Sequence, residues 1–312
     1  MRRNLAVACI ALGVFAIVLA PLLRFWVADA VMQTPMDYYQ EPVHEAEDAT
    51  YFNIEDVELV EDVTVQAHTT LRADVAASDS DVVVWDQFTW VRHVDGDNDN
   101  DFALESNTRR VGHDRTTGEA VDCCDPTVNE ESVVQTGQAY KFPFLTEQRD
   151  YEYFDTTTEQ TEPMVFDGVD EIEGHETYRF VQEISETKVD ERVIPADVLG
   201  IEDDTDDTDV TTDEMYSVER TFWIDPHTGT PLNQHEHQQL SAHVDGEEEL
   251  VLLDADLQWT DETIDAYIDA SSEGITAIPL LRTTLPIILL AAGGILTVAG
   301  VVLLLSARRA QA

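Results

Sequence analysis

Residues 216–229 read YSVERTFWIDPHTG, and their pattern decides the fold. Tyr216, Val218, Phe222 and Ile224 fall on one side of an extended chain, with Ser217, Glu219 and Thr221 on the other. This period of two belongs to a strand with one buried face. Asp225-Pro226-His227-Thr228-Gly229 then turns the chain, because proline presets φ and glycine accepts a left-handed backbone. A strand returns through Leu232 to Val244, Asp245-Gly246 marks a tight hairpin, and Leu250 to Trp259 runs back again. The result is an antiparallel meander. Working outward, Val63, Val65, Ala67, Thr69 and Leu71 alternate with polar neighbours. Val82 to Val94, Gln138 to Phe144 and Thr177 to Ile184 also read as strands. One amphipathic helix follows the meander, with Thr260 as cap, Ile264, Tyr267, Ile268 and Ser271 on one face, and Gly274 as its expected end.

The charge is extreme. Sixty-four acidic residues stand against 17 basic ones, for a net charge of -47, and the two lysines are Lys141 and Lys188. At physiological salt, where the screening length is about 8 Å, such a chain repels itself; at 1 M the length falls to about 3 Å and the charge is tolerated. The composition is therefore expected of a halophile's protein. A hydrophobic content of 43%, with 5 Trp, 9 Tyr and 11 Phe, excludes an acidic disordered tail. The charge also excludes a nucleic-acid partner, since phosphate binding rests on basic contacts.

Two segments escape the acidity. Leu5 to Leu23 and Leu285 to Leu305 carry no charge, and each has the length of about 20 residues that a bilayer-spanning helix needs. Arg2 and Arg3 precede the first, and Arg308 and Arg309 follow the second, which predicts a two-pass plasma-membrane protein with both termini cytoplasmic. The expected domains are a cytoplasmic N-terminus (1–4), a transmembrane helix (5–27), an extracytoplasmic acidic β-rich domain (28–280), a second transmembrane helix (281–305) and a cytoplasmic C-terminus (306–312). The fold class is α+β, a mainly antiparallel β domain flanked by one transmembrane helix at each end. Arg24, Phe25 and Trp26 suit the outer membrane edge. A competing reading makes the first segment a signal peptide cleaved near Ala28-Asp29-Ala30. Ala291, Ala292, Gly293, Gly294, Ala299 and Gly300 form a small-residue face on the second helix, suited to packing against the first span or to a homo-oligomer with another copy.

Catalytic signatures are missing: the sequence contains no G-x-S-x-G, G-x-G-x-x-G, Walker A or H-E-x-x-H motif, so no catalytic residue and no enzyme is expected. Residues 95–101, DGDNDND, set Asp95, Asp97, Asp99 and Asp101 at alternate positions, a candidate Ca2+ or Mg2+ loop. A calcium loop wants glycine sixth and glutamate twelfth, where Asn100 and Ser106 stand, so a solvated, cation-accumulating turn is the competing reading. The run at 202–209, EDDTDDTD, reads as a solvated loop. His235 and His237 share one strand face, a spacing that can hold a transition metal, with no third ligand identified. Cys9 lies within the first span. Cys123 and Cys124 are adjacent, and reduced thiols, a vicinal disulfide acting as a redox pair and bridges between chains all remain open. An internal echo links residues 113–118, HDRTTG, to residues 224–229, IDPHTG, through a shared D-x-x-T-G core, with similar hairpin turns and a duplicated half-domain as the two explanations.

Several stretches resemble a known family. They are residues 110–120 (RVGHDRTTGEA), Gly137 with Tyr140-Lys141-Phe142-Pro143-Phe144, and Tyr151, Tyr153, Phe154 and Asp155. Gly168, Gly174, Thr177-Tyr178-Arg179-Phe180 and Asp225-Pro226-x-Thr228-Gly229 continue the pattern. Together they resemble the porin PorA family, earlier catalogued as a domain of unknown function in actinobacteria and also found in halophilic archaea. The resemblance implies a membrane envelope protein and brings no enzyme activity and no catalytic residue.

The porin label sits uneasily with strands this acidic, since a barrel wall needs an apolar outer band. The function expected from the residues is a non-enzymatic, membrane-anchored cell-surface protein with a binding or envelope role, its partners membrane lipid and cations. An oligomeric channel is the first alternative. A lipid-binding conduit is the second, by analogy with class B scavenger receptors, whose large β ectodomain also lies between two end spans.

Overall fold

The computed structural model of the protein describes residues 2–53, 57–94, 103–201 and 209–309. The chain forms two compact units, one of Met1–Gln33 with Ser271–Ala312 and one of Thr34–Ala270.

In the first unit, α1 (Arg2–Leu22) continues through a π-helical turn (Leu23–Val27) into the short α2 (Ala28–Val31). Later in the chain, α3 (Asp261–Pro279) passes through a second π-helical turn (Leu280–Thr284) into α4 (Leu285–Arg309). Each widened turn follows a proline, Pro21 or Pro279, whose missing N–H and ring clash disturb the regular ladder. Gly274 does not end the helix as expected. The apolar spacing resumes at Ile275 and Ile278, so the helix continues through a glycine that costs it about 1 kcal/mol relative to alanine.

Helices α1 and α4 pack through small residues. A side chain on Gly13 would stand 2.6 Å from the Gly293 carbonyl oxygen, and one on Gly300 would stand 2.8 Å from that of Ala6. The face of Gly293 and Gly300 is therefore filled within the chain, while Gly294 faces open space. At the level of the π-helical turns, Arg24 donates to the Arg282 carbonyl oxygen (2.8 Å) and Arg282 pairs with Asp29 (3.0 Å).

The second unit holds one antiparallel sheet, together with the first part of α3 up to Ala270. Its strands are β1 (Tyr39–Gln40), β2 (Val43–Asn53), β3 (Glu58–Ala73), β4 (Val82–Val94), β5 (Ala103–Asp114), β6 (Ala120–Val121), β7 (Thr127–Val128) and β8 (Glu131–Ser132). They continue as β9 (Tyr151–Asp155), β10 (Gln160–Ile172), β11 (His175–Pro195), β12 (Asp209–Ile224), β13 (Pro231–Val244) and β14 (Glu247–Trp259). Strands adjacent in sequence mostly pair, and β14 pairs with β2, which joins the two meanders. The expected hairpin at Asp245-Gly246 is present, both residues having positive φ (53° and 84°).

The sheet also joins its own edges. β6 pairs with β5, Glu119 bridges to Gln138, and Gln138 bridges to Tyr153 of β9. These bridges link β5 and β9, the two sides of the sheet, into a ring of neighbours at this end. Gln138 to Phe144 is consequently not the strand expected from its composition. The segment crosses between strands, and its hydrogen bonds go to turns rather than to one ladder.

Alternation places Tyr216, Val218, Phe222 and Ile224 inside, as read from the sequence, and adds Thr212, Glu214 and Arg220 to the same face. Phe142, Tyr151, Tyr153, Met164, Phe180, Phe222 and Ile224 form one core cluster. Burying each phenylalanine contributes roughly 1.5–3 kcal/mol. A second cluster joins Ala46, Ala49, Tyr51, Val65, Ala67, Ala255 and Leu257, and a third Leu71, Ala73, Val83 and Trp85.

Candidate functional site

Three turns at this closed end share one construction. In each, an aspartate Oδ1 accepts the N–H groups two and three residues on. Asp114 holds Thr116 (2.8 Å) and Thr117 (2.7 Å). Asp155 holds Thr157 (3.1 Å) and Thr158 (2.7 Å), and Asp225 holds His227 (3.1 Å) and Thr228 (2.7 Å). A left-handed residue follows each time: Gly118, Glu159 and Gly229. The D-x-x-T-G echo is thus a recurring turn. Its third copy, Asp155-Thr156-Thr157-Thr158-Glu159, escapes a sequence search because glutamate replaces the glycine.

Residues 137–145 thread between two of these turns. Phe142 N–H donates to the Gly229 carbonyl oxygen (2.8 Å), Phe144 N–H to that of Thr116 (3.1 Å) and Leu145 N–H to that of His227 (3.0 Å). The approach admits no side chain: a Cβ on Gly229 would lie 2.1 Å from the Phe142 carbonyl oxygen, and one on Gly118 would lie 2.4 Å from that of Lys141. Lys141 is buried here, its ammonium 3.5 Å from the centre of the Phe144 ring. Burial pulls the Lys141 pKa down to about 7, although Asp225 and Asp114 favour its charge.

The interior beside this segment carries two arginines. Arg220 Nε donates to Glu236 Oε1 (2.6 Å), Nη1 to Gln182 Oε1 (2.6 Å) and Nη2 to Asp155 Oδ2 (3.1 Å). Gln182 returns its amide to the Tyr153 and Glu162 carbonyl oxygens, and Gln234 and Gln238 donate to Glu236. Burial opposes the charges of Arg220 and Glu236, but their mutual attraction outweighs it: the guanidinium pKa is held well above its usual value and the carboxyl pKa below. Arg109 donates from Nε to Gln135 (2.8 Å) and from Nη1 to the Ala139 carbonyl oxygen (2.9 Å), with its guanidinium 4.5 Å from the centre of the Tyr140 ring.

The residues singled out in the sequence are not brought together here. Asp95, Asp97, Asp99 and Asp101, and the acidic run over 202–208, lie outside the described residues. Cys123 and Cys124 are bonded to each other, half-buried at the end of β6, and Arg110 Nε donates to the Cys124 carbonyl oxygen (3.1 Å). His235 and His237 each take a separate carboxylate on β14, Asp256 and Asp254. Among the described residues no group of three His, Cys, Asp or Glu is arranged to hold a metal. An open cleft of about 430 Å³ along β3, β4 and β5 is lined by Arg72, Asp86, Phe88, Arg109, Arg110 and Glu130 among others.

Two helices long and apolar enough to cross a membrane, and a β sheet whose edges are joined by backbone bridges through Gln138, define a membrane protein with a large acidic β domain. The chain belongs to the porin PorA family, whose model matches residues 5–302. A protein named porin PorA from Corynebacterium resistens is 28% identical, over 56% of this chain and 57% of its own length. The match therefore spans little more than half of that relative.

Proposed function

We propose that this protein is anchored by its two apolar helices and works through a β domain standing in water outside the cell, with a binding or envelope role rather than conduction or catalysis. The outer face of the sheet carries this reading. Asp167, Glu171, Glu183, Glu219 and Asp256 are exposed on the flanks of β10, β11, β12 and β14, where a barrel wall in lipid would need an apolar band. The close packing of α1 on α4 and the absence of any ionisable residue between Leu285 and Leu305 support it further, since a conducting helix bundle lines its path with polar groups. Acidity on this scale suits a halophile's envelope, with both termini on the cytoplasmic side. Cations would gather on this acidic surface, the alternating Asp95, Asp97, Asp99 and Asp101 of the sequence are the candidate Ca2+ or Mg2+ ligands, and the Cys123–Cys124 pair would respond to the redox state outside the cell.

The test is planar-bilayer recording of the purified full chain in concentrated KCl, alongside native mass spectrometry. A silent bilayer, with a monomer or dimer in the spectrometer, is expected. Stepwise conductance from a larger ring would sink the reading in favour of an oligomeric channel, and a stoichiometric copurifying lipid would shift it to a conduit.

A further inference from the structure

Arg109 stands apart from the other buried arginine. Arg220 meets Asp155 and Glu236, whereas Arg109, only 5% exposed, makes no ion pair among the described residues, and its Nη2 has no hydrogen-bond partner. A buried guanidinium without a counter-charge is costly, and the more so in a chain with 64 acidic residues to choose from.

The side chains around it are orphaned in the same sense. Trp85 Nε1, both ring nitrogens of His113 and the Tyr140 hydroxyl are buried and unpartnered. These groups form one cluster: Trp85 lies 4.8 Å from His113 and 5.0 Å from Tyr140 between ring centres, and His113 lies 5.9 Å from Tyr140. The alternation of β4 and β5 puts Trp85, Arg109 and His113 on the same inward face, with Gln87 opposite Arg109 and Val83 opposite His113. The chemistry is one-sided. Tryptophan and arginine only donate, the tyrosine hydroxyl and the imidazole each add one donor beside an acceptor, and no carboxylate among the described residues is hydrogen-bonded to any of them, so donors and positive charge are in excess.

We propose that this cluster is a buried binding site for a small monovalent anion of halide size, held by Arg109 Nη2, Trp85 Nε1, the Tyr140 hydroxyl and an N–H of His113. The anion supplies the missing counter-charge and acceptor together. Closely packed rings suit a monatomic ion better than an organic acid. The site is independent of the proposed function, since such an ion is held whether or not the chain conducts.

The test uses the full chain in detergent, with thermal unfolding followed in KCl, KBr and potassium gluconate at equal concentration, and crystals grown in KBr for anomalous scattering. Halide should raise Tm saturably above gluconate, because an ion bound only by the folded state stabilises it. An anomalous bromide peak should lie within hydrogen-bond distance of Arg109 Nη2. Arg109→Gln should lose the halide-dependent part of Tm. Trp85→Phe keeps the ring and removes one donor, so it should fold and bind halide roughly 3- to 10-fold more weakly. Ordered water in place of bromide, or equal anion dependence in the wild type and Trp85→Phe, overturns the proposal.

Discussion

Asp155 divides its carboxylate between two tasks: Oδ1 holds the turn it begins, and Oδ2 accepts Arg220 Nη2 at 3.1 Å from a strand 65 residues away. One side chain thereby ties the β9–β10 hairpin to the interior. Arg220 in turn joins β12 to Glu236 on β13 and Gln182 on β11, so the closed end is braced across four strands.

Removing one member leaves an uncompensated buried charge. Asp155→Ala should cost about 3–5 kcal/mol in denaturant unfolding. Exposed Asp256→Ala should stay within about 0.5 kcal/mol. A small effect at Asp155 would mean that Arg220 is balanced by Glu236 alone.

The second expectation is a pH dependence. His113 is fully buried; desolvation first, then Lys141 and Arg109, pull its pKa down from 6.5 to about 3, while Asp114 opposes them. A base with a depressed folded pKa contributes stability that is fully present above pH 6.5. That stability is lost as pH falls from 6.5 toward 3, because the unfolded chain takes up a proton that the native imidazole refuses. His113→Phe should flatten the stability profile between pH 6 and 4 by up to about 1.4 kcal/mol per pH unit. Parallel profiles for variant and wild type would show that the imidazole is not excluded from water.

Gly229 and Gly246 offer a matched comparison, since φ is positive at both (70° and 84°). A methyl group at Gly246 meets nothing within 4 Å, so Gly246→Ala carries only the left-handed penalty of about 1–2 kcal/mol. At Gly229 the methyl meets the backbone of Phe142 and Pro143, so Gly229→Ala should cost more and expose residues 140–147 to limited proteolysis. Equal losses would mean that the crossing segment is not pinned by this turn.

Salt supplies another expectation. Dilution from about 1 M to 0.1 M KCl lengthens the screening distance from about 3 to 10 Å, and a net charge of -47 then resists compaction. Tm should fall steeply over this range, read by circular dichroism. A flat response would remove the halophilic reading of the composition.

The strands over 216–259 were legible because a half-buried sheet writes its faces into alternate residues. The same alternation carries a further signal: Arg220 shares the parity of Tyr216, Val218, Phe222 and Ile224, and Glu236 lies on the face opposite His235 and His237. A charge at an inward position marks an interior pair, but its partners come from strands far away in sequence, so the pairing itself could not be read. Residues 138–144 looked like a strand because Tyr140, Phe142 and Phe144 alternate. In the fold, Phe142 packs in the core while the backbone pairs with the Gly229 and Thr116 turns, contacts that depend on ring closure. The disulfide between Cys123 and Cys124 was one of three readings left open, because adjacency alone does not set the oxidation state.

The central claim is that the strands stand in water outside the cell while the two helices lie in lipid. Labelling with a membrane-impermeant maleimide tests it most directly, in full chains where the native cysteines are replaced by serine and one site is added. Glu219→Cys, on the exposed flank of β12, should label in intact cells, and Ser306→Cys, near the end of α4, only after lysis. A Glu219→Cys chain that is protected in intact cells, or a Ser306→Cys chain that labels there, would contradict the account.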